Sequence, residues 1–271
     1  MPASPAAALS ESLRPLVDNP GRAAVLLDVD GTLAPIARRA EEAHVPPATS
    51  RLLSLLARRY GCVACVSGRS AAEARRLVGV GGVAYAGAHG AELLESGASV
   101  ARVAPAFEEW RGRVQSFSAD HDVPEMRTLR IRAEDKGAIV AYHWRGVPDE
   151  EAAYARLRKL AFEAQRVGLG IHWGRKVLEV RPPVSFDKGQ AVRELVLASG
   201  VRTALYAGDD RTDLDAFDAL DALVAEGELQ HAVRVGVRSE EGPSAIVRRA
   251  DVTVAGPPEL AEVLAVLAGP A

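Results

Sequence analysis

The chain has 271 residues, 33 Lys and Arg against 36 Asp and Glu, a net charge of −3 and 48% apolar residues. A chain of this length buries roughly 70–75% of its unfolded surface and needs neither disulfides nor a structural metal to hold a core, so a small secreted scaffold is excluded. The charge leaves no positive field for a nucleic-acid backbone or an anionic membrane, and no apolar stretch reaches the ~20 residues of a spanning helix.

Residues 1–10 are rich in Ala and Pro, lack the basic start of a signal peptide and are expected to fray. The corresponding expectations are a cytoplasmic location and, with no heptad run or apolar stripe, a monomer. Short runs that are apolar without alternation follow at 23–27, 62–66, 83–86, 204–207 and 233–237. Such runs suit strands covered on both faces, as in a parallel sheet. Helical stretches separate them. Thr49 and Ser50 can cap one carrying Leu52, Leu53, Leu55 and Leu56, and Ser70 can open one carrying Ala74, Leu77 and Val78. A third carries Val192, Leu195 and Val196 and stops at Gly200. The alternation means an α/β sheet.

The middle of the chain differs. A helix is expected over 105–119, strand-like segments over 126–133 and 137–144, a second helix over 149–167, and two more strand-like segments over 169–173 and 176–181. Helix, strand, strand, twice repeated, is an α+β unit with one covered sheet face, inserted into the first domain. The expected division is 1–100 and 183–271 for the main domain and 101–182 for the insert.

Cys62 and Cys65 have C-x-x-C spacing. On a strand, residues three apart point to opposite faces, so both are read as small core hydrophobes.

The chemistry gathers at strand ends. Asp28 and Asp30 stand at the carboxyl end of the first strand, in Leu27-Asp-Val-Asp-Gly-Thr-Leu33, and alternation points both to one side. They repel unless a cation or a shared proton lies between them. A plain Asp-Gly turn accounts for Asp30 and Gly31 but not for Asp28. Thr32 adds a hydroxyl and an amide. A second acidic group, Gly208-Asp-Asp-Arg-Thr-Asp213, follows another strand. Together they suit a hard cation, Mg²⁺ above all, which keeps several waters. Ser67, in Val66-Ser-Gly-Arg69, and Lys188, before a helix, could hold the non-bridging oxygens of a phosphate.

This order of motifs resembles the haloacid dehalogenase superfamily of phosphotransferases. The D-x-D-G-T motif of that superfamily matches Asp28-Val-Asp-Gly-Thr32, its second-motif Ser matches Ser67, its Lys matches Lys188, and its acidic motif matches Gly208 to Asp213. Asp30-Gly-Thr-Leu-Ala-Pro-Ile36, Ala86-Gly-Ala-His-Gly90 and Gly174-Arg-Lys-Val-Leu-Glu-Val-Arg-Pro182 look like signatures of one branch, the trehalose-6-phosphate phosphatases. The resemblance implies a Rossmann-like parallel-sheet core with an inserted α+β cap that closes as a lid and reads the sugar. It also implies Mg²⁺-dependent hydrolysis of trehalose 6-phosphate through an aspartyl-phosphate. In that mechanism Asp28 attacks phosphorus. Asp30 protonates the leaving oxygen and then deprotonates water. The metal is held by Asp28, the Asp30 carbonyl and Asp209, with Asp213 acting through water and Asp210 orienting Lys188. Sequence leaves open which of Asp209, Asp210 and Asp213 ligates directly.

The candidate substrate contacts are Thr32, Gly68, Arg69 and His89 in the core and Arg175, Lys176, Glu179, Glu134, Lys136 and His143 in the cap. The competing reading of the six cap residues is solvated charge on a strand's outer face. His89 can equally be a structural loop histidine. Phosphatases of sucrose, glucosylglycerol or mannosylglycerate phosphate would share the core motifs and differ in the cap, and a non-catalytic sugar-phosphate-binding module is the rival from another class.

Overall fold

The computed structural model describes residues 5–36, 42–184, 186–239 and 242–269. In chain order its elements are α1 (Pro5–Asp18), β1 (Ala23–Leu27), α2 (Pro47–Arg59), β2 (Cys62–Val66), α3 (Ala71–Val78), β3 (Ala84–Gly87), β4 (Glu92–Leu94) and β5 (Arg102–Val103). Then come α4 (Pro105–Asp120), α5 (Pro124–Thr128), β6 (Arg132–Asp135), β7 (Val140–His143), α6 (Glu150–Arg166), β8 (Gly170–Gly174) and β9 (Val177–Arg181). The chain closes with α7 (Lys188–Ser199), β10 (Thr203–Gly208), α8 (Asp213–Ala225), β11 (His231–Val237), α9 (Ser244–Arg249), β12 (Val252–Val254) and α10 (Pro257–Ala268). Two compact units result, Met1–Arg102 with Phe186–Ala271, and Val103–Ser185.

The larger unit is built on an eight-stranded sheet of order β12-β11-β10-β1-β2-β3-β4-β5. Pairing is parallel from β12 to β3 and antiparallel between β3 and β4. Helices cover both faces, which is why β1 is buried at every position. Ala23, Val25 and Leu27 join one apolar cluster with α1, α2, α3 and α10, while Ala24 and Leu26 join the other with α7, α8 and α9. Cys65 lies in the first cluster and Cys62 packs against the second, as strand alternation requires, and burial pushes both thiols up. The chain builds outward from β1 to β3, then returns to place β10 on the other side of β1. The order reverses there, and the crevice at the carboxyl ends of β1 and β10 is where such sheets take ligands.

The smaller unit is a four-stranded antiparallel sheet, β6-β7-β9-β8. Val140, Tyr142, Leu178 and Val180 pack with Val114 and Phe117 of α4 and with Leu157, Leu160 and Ala164 of α6 on one face.

Three local expectations are corrected. Residues 5–18 form α1, because Leu13 and Leu16 share a buried helical stripe, flanked by Leu9 and Val17; residues 1–4 lie outside the described residues. α2 opens at Pro47, with Thr49 buried within it and the Ser50 hydroxyl donating to the Val78 carbonyl at 2.8 Å, so neither is its cap. The segment 126–133 is not one strand. Pro124 starts the short α5, whose Met126 enters the apolar cluster with Ile131, and β6 begins only at Arg132. Elsewhere Ser70 makes a full capping box with Glu73, and Gly200 stops α7 with φ of 64°.

Candidate active site

Three of the parallel strands of the larger unit, β1, β2 and β10, each deliver one piece of the site from the carboxyl end. Asp28 follows β1, Ser67 follows β2 and Asp209 follows β10, while Lys188 is the first residue of α7 and Asp213 the first of α8. Asp28, Ser67, Lys188, Asp209 and Asp213 are all buried. The Lys188 ammonium donates to Asp28 Oδ1 and to Asp213 Oδ1, both at 2.6 Å. Burial works to lower the Lys188 pKa, but Asp213 and Asp28 outweigh it and hold the ammonium above the ordinary lysine value. Burial pushes the Asp28 carboxyl well up; Lys188 opposes this, and Asp213 and Asp209 add to it.

Asp213 is heavily engaged. Its Oδ1 accepts from Lys188 and from the Tyr206 hydroxyl at 2.6 Å, and its Oδ2 accepts from the amides of Asp209 and Asp210 at 3.0 and 2.8 Å. Four donors occupy the roughly four lone-pair sites of a carboxylate. Two glycines allow this packing. A Cβ at Gly208 would fall 2.3 Å from Asp213 Cγ, and one at Gly31, whose φ is +93°, would fall 2.4 Å from the Asp209 carboxylate. Thr32, fully buried, makes a long 3.5 Å contact from its hydroxyl to Asp209 Oδ1.

Asp30 is placed differently. Its carboxylate, partly exposed, accepts two bonds from Arg69, at 2.7 Å from Nε and 2.6 Å from Nη2. The Arg69 amide donates to Ser67 Oγ at 3.1 Å, tying the turn after β2 together. His89 lies against this turn. Its amide donates to the Ser67 carbonyl at 3.0 Å, and a Cβ on Gly68 would meet its ring at 2.9 Å, so Gly68 is the gap that the imidazole occupies. Ala88 and His89 both hold left-handed φ, 49° and 57°, a strain that tends to persist where function needs it.

In the smaller unit, cross-strand register sets Glu134, Ala141, Glu179 and His172 in one row, and Arg132, His143, Val177 and Gly174 in another on the same face. His143 Nε2 lies 2.6 Å from Glu134 Oε2, and Lys136 Nζ donates to Glu179 Oε1 at 3.3 Å. The bond from His143, chiefly, holds the Glu134 carboxyl below the usual range. Glu179 is 4% exposed. Arg175 and Lys176 form the two-residue turn between β8 and β9, with Lys176 at φ 59°. Lys176 bonds Glu150 at 2.5 Å, at the start of α6, the helix on the apolar face. The structure therefore does not bring Lys176 to the face that carries Glu179.

Residues 26–252 match the Trehalose-phosphatase family. The chain belongs to that family. The trehalose-phosphate phosphatase of Mycobacterium avium is 35% identical over 215 residues, 73% of this chain and 51% of that protein. An uncharacterized glycosyl hydrolase of Mycobacterium tuberculosis is 36% identical over 208 residues, 73% of this chain and 15% of that protein. The chain thus spans about half the length of the curated trehalose-phosphate phosphatase it matches and a small part of the glycosyl hydrolase. The C-terminal domain of Candida albicans trehalose-6-phosphate phosphatase shares the fold, with a TM-score of 0.72 at 22% identity over 94% of this chain and 96% of that one.

For this trehalose-phosphatase family member, the donor set suits a divalent metal. Oxygens of Asp28, Asp209 and Asp213 lie within 4.8 Å of one another, all buried. Three carboxyl groups face one ammonium in a dry site, an oxygen-rich imbalance that a hard dication offsets. The placements also correct the earlier expectations. Asp213, not Asp210, orients Lys188, and the Asp210 carboxylate instead accepts from the Arg211 amide at 2.6 Å. The Asp30 side chain stands outside the acidic trio, so the charges crowding Asp28 are Asp213 and Asp209 rather than Asp30. Sequence reasoning missed Tyr206, hidden in an apolar strand, although a hydroxyl two residues before Gly208 was a usable signal. It also missed His172 and Arg132, which register alone places on the polar face.

Proposed function

We propose that this chain hydrolyses trehalose 6-phosphate to trehalose and phosphate. The observation that carries the reading is the buried Lys188 set between Asp28 and Asp213, at the sheet's reversal point, in a chain of the Trehalose-phosphatase family. Asp28 attacks phosphorus in line and forms an aspartyl-phosphate, dividing one difficult displacement into two easier ones. Lys188 holds Asp28 in place and faces the phosphoryl oxygens as a point charge. Ser67 and the amides of the turn after it bind the same oxygens. Asp30 protonates the departing sugar oxygen and then takes a proton from the water that cleaves the intermediate. Its bidentate bond to Arg69 fixes its orientation. Mg²⁺ held by Asp28, Asp209 and the Asp30 carbonyl would supply charge neutralisation for the dianionic phosphate. Asp213, its lone pairs taken by protein donors, positions Lys188 and would add its charge beside such a metal.

We assign the unit Val103–Ser185 the role of cap. Glu179, Glu134, Lys136 and His143 on its polar sheet face read the sugar hydroxyls, and Arg175 at the turn contributes from the edge. A buried carboxylate that accepts sugar O–H bonds discriminates strongly, because the wrong ring leaves it unpaired. The test is phosphate release from a panel of sugar phosphates, first with Mg²⁺ and then with chelator. Preference for trehalose 6-phosphate, abolished by chelation, is expected. Preference for sucrose, glucosylglycerol or mannosylglycerate phosphate overturns the substrate, and turnover that survives chelation overturns the metal.

A further inference from the structure

The opposite end of the same parallel strands carries a second polar site. A cavity of ≈ 220 Å³ opens at the amino ends of β10 and β11, lined by Asn19, Arg22, Arg202, Thr203, Gln230 and His231 together with Pro15. Its frame is rigid. The Arg202 amide donates to the Arg22 carbonyl at 2.8 Å and the Gln230 amide to the Arg202 carbonyl at 2.7 Å, which continues the β1-β10-β11 ladder one residue outward. Thr203 and His231 are register partners in the next rung.

Every polar side chain on this frame offers a donor, and those of Thr203 and Arg202 are incompletely matched among the described residues. The Thr203 hydroxyl is buried with no hydrogen-bond partner among the described residues. Arg202 spends one N–H on the Gly227 carbonyl, at 2.8 Å, and keeps the rest of its fork. Among the described residues, no carboxylate lines the cavity. Asp251, which acts on His231 through space, is taken up by three bonds from Arg234, at 2.8, 2.9 and 2.8 Å, and Asp18 pairs with Arg14. Two guanidinium groups, an imidazole and an orphaned hydroxyl around a small hollow form a receptor for a compact oxyanion, because Arg forks match phosphate geometry and a buried unpaired hydroxyl is costly.

We propose that this cavity binds a phosphate-class oxyanion, either inorganic phosphate or the phosphoryl group of a small metabolite. It lies six strand residues from the catalytic Asp209, about 20 Å along β10. It is therefore separate from the site where Asp28 acts, and the inference does not depend on which sugar phosphate the chain hydrolyses.

The experiment is a backbone-amide NMR titration of the full chain in chelator, with inorganic phosphate in one arm, glucose 6-phosphate in a second and sodium chloride at matched ionic strength in a third. Saturable shifts at the amides of Arg202, Thr203 and His231 are expected in one or both phosphate arms, and which arm saturates first identifies the source. Arg22→Gln with Arg202→Gln should weaken that binding by at least about tenfold, while phosphate-ester turnover stays within about twofold. Thr203→Val, which removes only the hydroxyl, should weaken it by less. No shift at these amides, an equal shift from chloride, or unchanged affinity in both variants overturns the proposal.

Discussion

The two units hold their charged groups in opposite ways. In the larger unit, Lys188, Asp28 and Asp213 are dry; the Lys188 ammonium is held between the two carboxylates, and Asp213 also accepts from two backbone amides. In the smaller unit, the polar face carries side-chain pairs, Glu134 with His143 and Lys136 with Glu179, of which the first is about a quarter exposed. On the proposed function, the groups that act at phosphorus stand at secondary-structure termini, whereas the groups proposed to read sugar hydroxyls are held in side-chain pairs that a ligand can replace.

The largest expected effect belongs to the dry cluster. Asp28→Asn should lower turnover of every phosphate ester by at least about 10³-fold with circular dichroism unchanged, since the shape of the site is kept while the nucleophile is lost. Lys188→Met should damage both activity and fold. It leaves Asp28 and Asp213 buried without their cation, and denaturant unfolding should show a loss of about 3–5 kcal/mol.

Substitutions in the smaller unit should divide substrates instead. Glu179→Ala should reduce kcat/KM for trehalose 6-phosphate by about 10²-fold and leave a small generic ester nearly untouched. An equal loss on both esters would erase the division of labour between the two units. The smallest effect is a pH effect. The folded Glu134 carboxyl lies below its ordinary value of 4.5, so its contribution to stability is present above pH 4.5 and fades as the pH falls through the folded value. His143→Ala should remove that acid-side loss, worth only a few tenths of a kcal/mol at so exposed a pair, as read from melts between pH 3 and 6.

The same contrast explains what the sequence disclosed. Asp28, Ser67 and Asp209 were legible because a continuously apolar run that ends in a polar residue marks the edge of a parallel sheet, and Lys188 because it stands before a helix, and the topology then brings them together. The role of Asp213 was not legible, since four donors converge on it from three elements and no spacing in one chain encodes that. The pairing of Arg69 with Asp30 spans 39 positions and was equally silent. In the smaller unit, Arg175, Lys176 and Glu179 are neighbours in sequence, yet the turn at Lys176 sends its ammonium to Glu150 and leaves Glu179 on the other face. Register, which determines that separation, depends on partner strands and not on the local pattern.

The central claim is that Asp28 carries the phosphoryl group between the two half-reactions. Rapid acid quench during turnover of trehalose 6-phosphate, followed by mass spectrometry of the peptide containing Asp28, tests it most directly. The expected result is a phosphoryl group on Asp28 that disappears once substrate is exhausted. An unmodified peptide at every quench time, together with turnover that persists in Asp28→Asn, would contradict it.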